Sequence, residues 1–194
     1  METRRIKLRR MLPEDYSFLY ELATSQDAGY RWRYFGSFPT YDSFVQTLSY
    51  NKDPQFVVLA KDGEPAGWVL SYRFDPANGT VYMGIIMSHG YLGGGAGIEA
   101  AASFLEYLFK FWNLRKVYTE APGYTYESVG SGLGSIFREE GVLRDHRYFD
   151  GRFWDEHIIA VYREDWEKIK LRLPWLREQV DTAQPPGAWW AGSS

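Results

Sequence analysis

Cysteine is absent from the 194 residues. That excludes disulfides, thiol nucleophiles and metal sites built on thiolates. No stretch approaches the roughly 18 apolar residues that a membrane-spanning helix needs. Met1-Glu2-Thr3-Arg4-Arg5 leads into no apolar run of the kind a secretory signal carries. There is no basic excess either. Lys plus Arg number 22 against 25 Asp plus Glu, a net charge of −3, so the electrostatic footprint of a nucleic-acid binder is missing. The expectation is a cytoplasmic protein, monomer or homodimer, with no metal, no nucleic-acid partner and no membrane contact.

What is present is ordinary globular material: 45% hydrophobic and 24% charged residues. The length suits one domain with a core of its own. Aromatics reach 18%, which points to a bulky core, an aromatic-lined pocket, or both. Residues 5–9 alternate charged and apolar side chains and read as a strand. Pro13-Glu14-Asp15 suits the start of a helix, and a second helix is expected from Tyr41 to Tyr50. Three strands follow as a meander, over residues 55–61, 66–74 and 80–87, joined by turns at Asp62-Gly63 and Asn78-Gly79. A glycine-rich turn opens a long helix ending near Trp112. Then come a strand over 116–121, a helix over 126–139, two strands over 141–148 and 153–162, and a helix over 164–171. Residues 1–173 read as one domain. Residues 174–194, with Pro185-Pro186-Gly187, read as a loose tail. The layout predicts a mixed α/β (α+β) fold with one mostly antiparallel sheet flanked by helices.

The chemistry-bearing feature is Tyr91-Leu92-Gly93-Gly94-Gly95-Ala96-Gly97-Ile98-Glu99-Ala100. It follows a strand and opens a helix. Glycines let backbone N–H groups approach an anion without Cβ obstruction, and the helix N-terminus adds positive potential. A Walker A loop is excluded, because it ends in Gly-Lys-Ser/Thr and no lysine stands here. Gly95-Ala96-Gly97-Ile98-Glu99-Ala100 also fits the dinucleotide pattern G-x-G-x-x-A, with Glu120 near the place of a ribose-binding acid. The strands before it form a meander, however, not βαβ crossovers. The plain alternative is a tight glycine connection that binds nothing.

Further residues bear on the choice. Leu92-x-x-Gly95-x-Gly97 resembles the signature Arg/Gln-x-x-Gly-x-Gly/Ala of the GNAT superfamily of N-acetyltransferases, with Leu92 in the usual polar position. Asn78-Gly79-Thr80, Gly97-Ile98-Glu99-Ala100, the run from Phe137 to His146, Asp150-Gly151-Arg152 and Tyr162 to Trp166 look like the subgroup of ribosomal-protein N-terminal acetyltransferases. The resemblance spans residues 6–166. It implies a V-shaped splay between the fourth and fifth strands that takes acetyl-CoA or another acyl-CoA. Backbone groups of Ile85, Ile86 and Met87 would meet the pantetheine arm. The pyrophosphate would sit on Leu92, Gly93, Gly94, Gly95, Ala96, Gly97 and Ile98. Thr125 and Ser128 match positions of a further family motif and join the cofactor-binding set.

The implied reaction is direct attack of a primary amine, on a small molecule or a protein N-terminus, upon the thioester. A lysine-like amine has a pKa of about 10.4, so freeing its lone pair at pH 7 costs roughly 4–5 kcal/mol. A base is the pressing need. Glu120 is the first candidate, with Asp75, Asp145 and His89 behind it. The family's usual tyrosine acid falls on Gly132, so Tyr126, Tyr124 or solvent would protonate the departing thiolate. Tyr30, Trp32, Tyr34 and Phe35 lie where the family binds its acceptor. The alternatives are a catalytically weak CoA-binding or regulatory module, or a transferase for a different acyl group.

Overall fold

The computed structural model describes residues 1–25, 38–126 and 137–176. At its centre seven strands run in the order β1-β2-β3-β4-β5-β7-β6. They are β1 (Ile6–Arg10), β2 (Gln55–Ala60), β3 (Pro65–Asp75), β4 (Thr80–Met87), β5 (Lys116–Pro122), β6 (Phe137–Phe149) and β7 (Arg152–Tyr162). Every neighbouring pair is antiparallel except β4 and β5, which run parallel. The described helices are α1 (Tyr16–Thr24), α2 (Tyr41–Tyr50), α3 (Ala96–Phe111) and α4 (Arg163–Ile169). This is the mixed, mostly antiparallel architecture expected from the order of elements.

Strand alternation divides the core into two layers. Val58, Val69, Val81, Met83 and Val117 pack with Ala100, Phe104, Leu105 and Leu108 of α3. Val57, Trp68, Leu70 and Ile86 face the other way, onto Leu19, Leu22, Phe44 and Leu48 of α1 and α2. Each fully buried side chain of this size contributes about 1.5–3 kcal/mol.

Local chemistry fixes the helix ends. Pro13–Asp15 forms a single 3-10 turn that leads into α1. The buried Asp15 carboxylate accepts from Arg9 at 2.6 Å and from the Leu12 amide at 2.7 Å. The Thr40 hydroxyl caps α2 by accepting from the Ser43 N–H at 3.3 Å. At the far end of α3, the Arg163 guanidinium donates to the carbonyls of Phe109, Trp112 and Leu114 at 2.7–2.9 Å. A cation is favourable there, where helix carbonyls lack partners.

The helix expected over 126–139 is corrected at both described ends. Residues 123–126 already form a helical turn. Phe137, Arg138 and Glu139 are strand, paired with Val161, Ala160 and Ile159. Alternation sends Phe137 into the α3 core and Arg138 to the carboxylates of Glu164 and Asp165, a two-residue period that a helix does not provide. Residues 127–136 lie outside the described residues. At the other terminus, Leu176 is only 4% exposed and packs in the α3 core. The rest of the tail, including Trp189 and Trp190, lies outside the described residues.

Candidate active site

The sheet comes apart in the middle. β4 and β5 pair only at Thr80↔Lys116, Val81↔Val117 and Tyr82↔Tyr118. Beyond that point β4 stays with β3 as far as Met87, and β5 stays with β7 as far as Pro122. At the apex of the opening the Thr119 hydroxyl donates to the Met83 carbonyl at 2.9 Å. Met83 therefore turns its peptide groups toward β5, and by strand period so do Ile85 and Met87. These strand-edge groups form the unpaired margin of the gap. Ile86 has the opposite phase. Its carbonyl lies against Gly67 of β3, where a Cβ would come within 2.6 Å, and its side chain is buried under α1 and α2.

The glycine turn lies past the open end of β4. Gly93 and Gly95 have φ of 80° and 82°, a left-handed conformation that disfavours any residue with a Cβ. Space around Gly93 and Gly94 is open, with no atom within 4 Å of where a Cβ would stand. Gly95 is the N-cap of α3 and carries no side-chain cap. The first bond of α3 runs from the Glu99 N–H to the Gly95 carbonyl at 3.0 Å. The amides of Ala96, Gly97 and Ile98 thus lack intrahelical acceptors. Leu92, where the family signature usually has a polar residue, is exposed beside this loop. A cation beside the turn comes from elsewhere in the chain. The Arg5 guanidinium lies 3.8 Å from the position a Cβ would take at Gly95. It is paired with Glu99, which is 1% exposed and also accepts from the Thr3 hydroxyl.

Glu120 lies on β5, 19% exposed, on the sheet face shared with Tyr82 and Tyr118. Its carboxylate accepts from Arg73 at 2.6 Å and from the Tyr72 hydroxyl at 3.3 Å. The rings of Tyr72, Tyr82 and Tyr118 form a row, with centroids 5.5 and 4.9 Å apart. Arg73 reaches this face through a bulge in β3. Its φ is 51°, the register shifts between Tyr72 and Asp75, and its guanidinium lies 5.1 Å above the Tyr82 ring. The Glu120 hydrogen bond is the chief cause that holds Arg73 above its ordinary pKa. Next along the same face, Glu140 accepts from Lys116 at 2.6 Å, from Tyr118 at 2.8 Å and from Tyr162. Burial pushes the Lys116 ammonium down, but its bonds to Glu140 and Tyr118 outweigh this and leave it raised. Burial likewise pushes Glu140 up, yet Lys116 and the two tyrosines hold it below the usual carboxylate range.

Tyr126 stands on the opposite face. It stacks on His157 with centroids 3.8 Å apart. His157 is registered with Ala121, next to the Glu120↔Ile158 pair, and neighbouring strand residues point to opposite faces. Burial, then a hydrogen bond to Glu139, raises the Tyr126 phenol above its ordinary pKa. His157 holds Glu139 below its own ordinary value. The Thr125 hydroxyl donates to the Pro122 carbonyl at 3.1 Å. Tyr124 packs against Phe149 and Trp154. Asp75 is tied into the β3–β4 turn by Asn78, at the closed end of the sheet. Asp145 has φ of 49° in an irregular stretch of β6, and His89 lies in an exposed 3-10 turn before the glycines. Tyr30, Trp32, Tyr34, Phe35 and Ser128 lie outside the described residues. Arg5, Arg73, Tyr72 and Tyr82 escaped sequence reasoning. The dipeptide Tyr72-Arg73 carries no sign of a bulge, and Arg5 is 90 residues from the turn it approaches. No group of three or more metal-ligating side chains occurs among the described residues, and no described helix is long and apolar enough to cross a membrane.

Comparisons with known proteins bear on the family and the fold. Residues 5–122 match the family described as the acetyltransferase (GNAT) domain. The chain is 25% identical over 167 residues to the uncharacterized N-acetyltransferase YnaD of Bacillus subtilis, covering 84% of this chain and 97% of that protein. It is similar in fold to spermidine N-acetyltransferase from Vibrio cholerae in complex with CoA and spermine, with a TM-score of 0.76 and 20% identity over 84% of this chain and 98% of that one. A GNAT-family acetyltransferase from Bacillus anthracis superposes with a TM-score of 0.70 at 19% identity, again over 84% of this chain and 98% of that one.

Proposed function

We infer the function from one premise: the chain belongs to the acetyltransferase (GNAT) domain family. It is an acetyl-CoA-dependent N-acetyltransferase. The residues present fit that co-substrate. The glycine turn leaves room where Cβ atoms would stand, and the amides of residues 96–98 lack intrahelical acceptors. In the proposed reading, Gly93–Ile98 and Arg5 hold the pyrophosphate, and the gap-facing backbone of Ile85 and Met87 holds the pantetheine arm as an added strand would. Leu92, Ile86 and Thr125 border these contacts.

Bound acetyl-CoA supplies an acetyl group already activated as a thioester. The acceptor is a primary amine that attacks directly. Glu120 holds the incoming ammonium and takes its proton, itself or through one water. This step addresses the roughly 4–5 kcal/mol needed to free an alkylamine lone pair at neutral pH. Tyr126, in the helical turn that follows β5 and on the opposite side of the sheet, returns a proton to the departing sulfur. The observation that carries the reading is the opening beyond Tyr82 and Tyr118, with the glycine turn past one end and Glu120 at its mouth.

The relatives leave the acceptor open. The Vibrio cholerae protein binds spermine, which makes a small-molecule amine the first class to try. The resemblance to ribosomal-protein acetyltransferases gains no support from these relatives. The test is thiol release from acetyl-CoA against a panel of small amines and N-terminal peptides. Turnover of any amine supports the reading. Tight CoA binding with no turnover on the whole panel would favour a non-catalytic CoA-binding module.

A further inference from the structure

The charges on the sheet face that carries Glu120 are already matched among themselves. Arg73 pairs with Glu120 at 2.6 Å, Lys116 with Glu140 at 2.6 Å and Arg147 with Glu156 at 2.8 Å. A polycationic acceptor would find the carboxylates of Glu120, Glu140 and Glu156 each already paired with a cation. Displacing Arg73 or Lys116 would strand a cation on the tyrosine rings. The three cations are not equivalent, however. The Lys116 side chain is 9% exposed, whereas that of Arg73 is 62% exposed.

Arg73 also occupies an unusual backbone state. Its φ of 51° is one that non-glycine residues adopt at an energetic cost, and such strain gathers at binding and catalytic positions. The bulge directs the guanidinium onto the Tyr82 ring and against Glu120. A guanidinium offers five N–H donors in a flat fork that matches a carboxylate. In the structure Glu120 engages one of its terminal nitrogens, and the remaining donors lie at the exposed edge.

We propose that the acceptor is a zwitterion, a primary amine with a carboxylate a few bonds away, whose carboxylate Arg73 binds while Glu120 binds its ammonium. The 2.6 Å contact between the two side chains requires the two substrate charges to be close together. An α- or β-amino acid satisfies this, and a long diamine does not. The ammonium and carboxylate of the acceptor then lie head to tail against the carboxylate and guanidinium of the protein. The tyrosine row provides an apolar floor for the carbon chain. This proposal rests on the acetyltransferase reading above and names its substrate class.

The full chain is assayed for thiol release from acetyl-CoA with the common amino acids, their amides, the corresponding decarboxylated amines and a linear triamine. At least one amino acid should exceed its own amide and decarboxylated partner about tenfold or more in kcat/KM, with the triamine below it. Arg73→Gln should remove most of that preference, chiefly through KM, and Arg73→Lys should restore part of it. Because the substitution alters a strained position, Arg73→Asn, which tolerates positive φ, serves as the second variant and should lose the preference too. Amides or the triamine serving as well as amino acids would overturn the zwitterion and leave the acetyltransferase reading standing. A preference that survives both Arg73→Gln and Arg73→Asn would overturn the role of Arg73. CoA binding with no turnover on any amine would overturn both readings together.

Discussion

At the glycine end of the opening, the polar groups on offer are backbone amides, set by two left-handed glycines and the first turn of α3. At the Glu120 end, they are side chains from β3, β4 and β5 that meet only because a bulge turns Arg73 over the sheet. The first end is a local device built on a helix N-terminus. The second is assembled across 48 residues of sequence, from Tyr72 to Glu120, and is balanced in charge. A phosphate can be held by whatever residues allow the backbone to approach. Selecting and deprotonating an amine requires particular side chains at particular distances. The two ends should therefore fail independently, and each variant below tests that separation.

The largest effect is expected at the glycine end. Gly95→Glu adds a Cβ at φ 82°, worth about 1–2 kcal/mol of strain, and sets a negative charge where the phosphates bind. CoA affinity should fall about 100-fold or more, measured by calorimetry. Melting temperature should fall by only about 2–8 °C from that strain, since the Cβ meets nothing but the Arg5 side chain, 3.8 Å away. Retained affinity would detach the turn from CoA binding. Glu120→Gln should do the reverse. Its kcat for an alkylamine should fall on the order of 100-fold near neutral pH, with CoA affinity unchanged. A rate equal to the parent would remove Glu120 from the mechanism.

This division also explains what could be read from sequence. The meander, its turns and α3 follow from local periodicity and turn chemistry, so strands and helices were legible from β1 to β5. The glycine turn was legible because its conformation is set by residue type along one short segment. Glu120 could be nominated from strand phase, yet not its partners. Arg73 adopts a positive φ that nothing in Ser71-Tyr72-Arg73-Phe74 announces. Arg5 approaches Gly95 from 90 residues away, a distance in sequence that no local pattern bridges. The stretch Phe137–Glu139 failed for a related reason: its charged residues suit a helix surface, but pairing with β7 decides the outcome.

A smaller effect is expected beside the tyrosine row, where Glu140 supports the face. Glu140→Gln leaves the Lys116 ammonium, 9% exposed, without its counter-charge. Stability should drop by about 2 kcal/mol, somewhat less than for a fully buried pair. The pH dependence has a definite sign. The folded-state pKa of Glu140 is lowered, so its contribution is complete above the ordinary carboxylate value. It disappears as pH falls through the lowered one. The folded-state pKa of Lys116 is raised, so its contribution is complete below the ordinary lysine value and is lost only in strong alkali. The gap between parent and variant should stay constant from about pH 6 to 9 and close in acid below about pH 4. A gap that widens in acid would show that Glu140 is not the group holding Lys116.

The smallest effect is expected on the face away from Glu120. A thiol has a pKa of about 8.5, so a departing thiolate needs little help near neutral pH, whereas the amine cannot attack until it loses its proton. The Tyr126 phenol is raised above its ordinary pKa by burial and by Glu139, which makes it a weaker donor but keeps it protonated throughout the working range. Tyr126→Phe keeps the ring on His157 and deletes only the hydroxyl. The rate should fall by no more than about tenfold against the larger loss in Glu120→Gln, and the difference should shrink as pH drops and solvent protonates the thiolate unaided. Measuring both variants across pH 6 to 9 compares the two faces directly. A loss in Tyr126→Phe that equals the one in Glu120→Gln would mean that sulfur departure, not amine activation, limits the reaction.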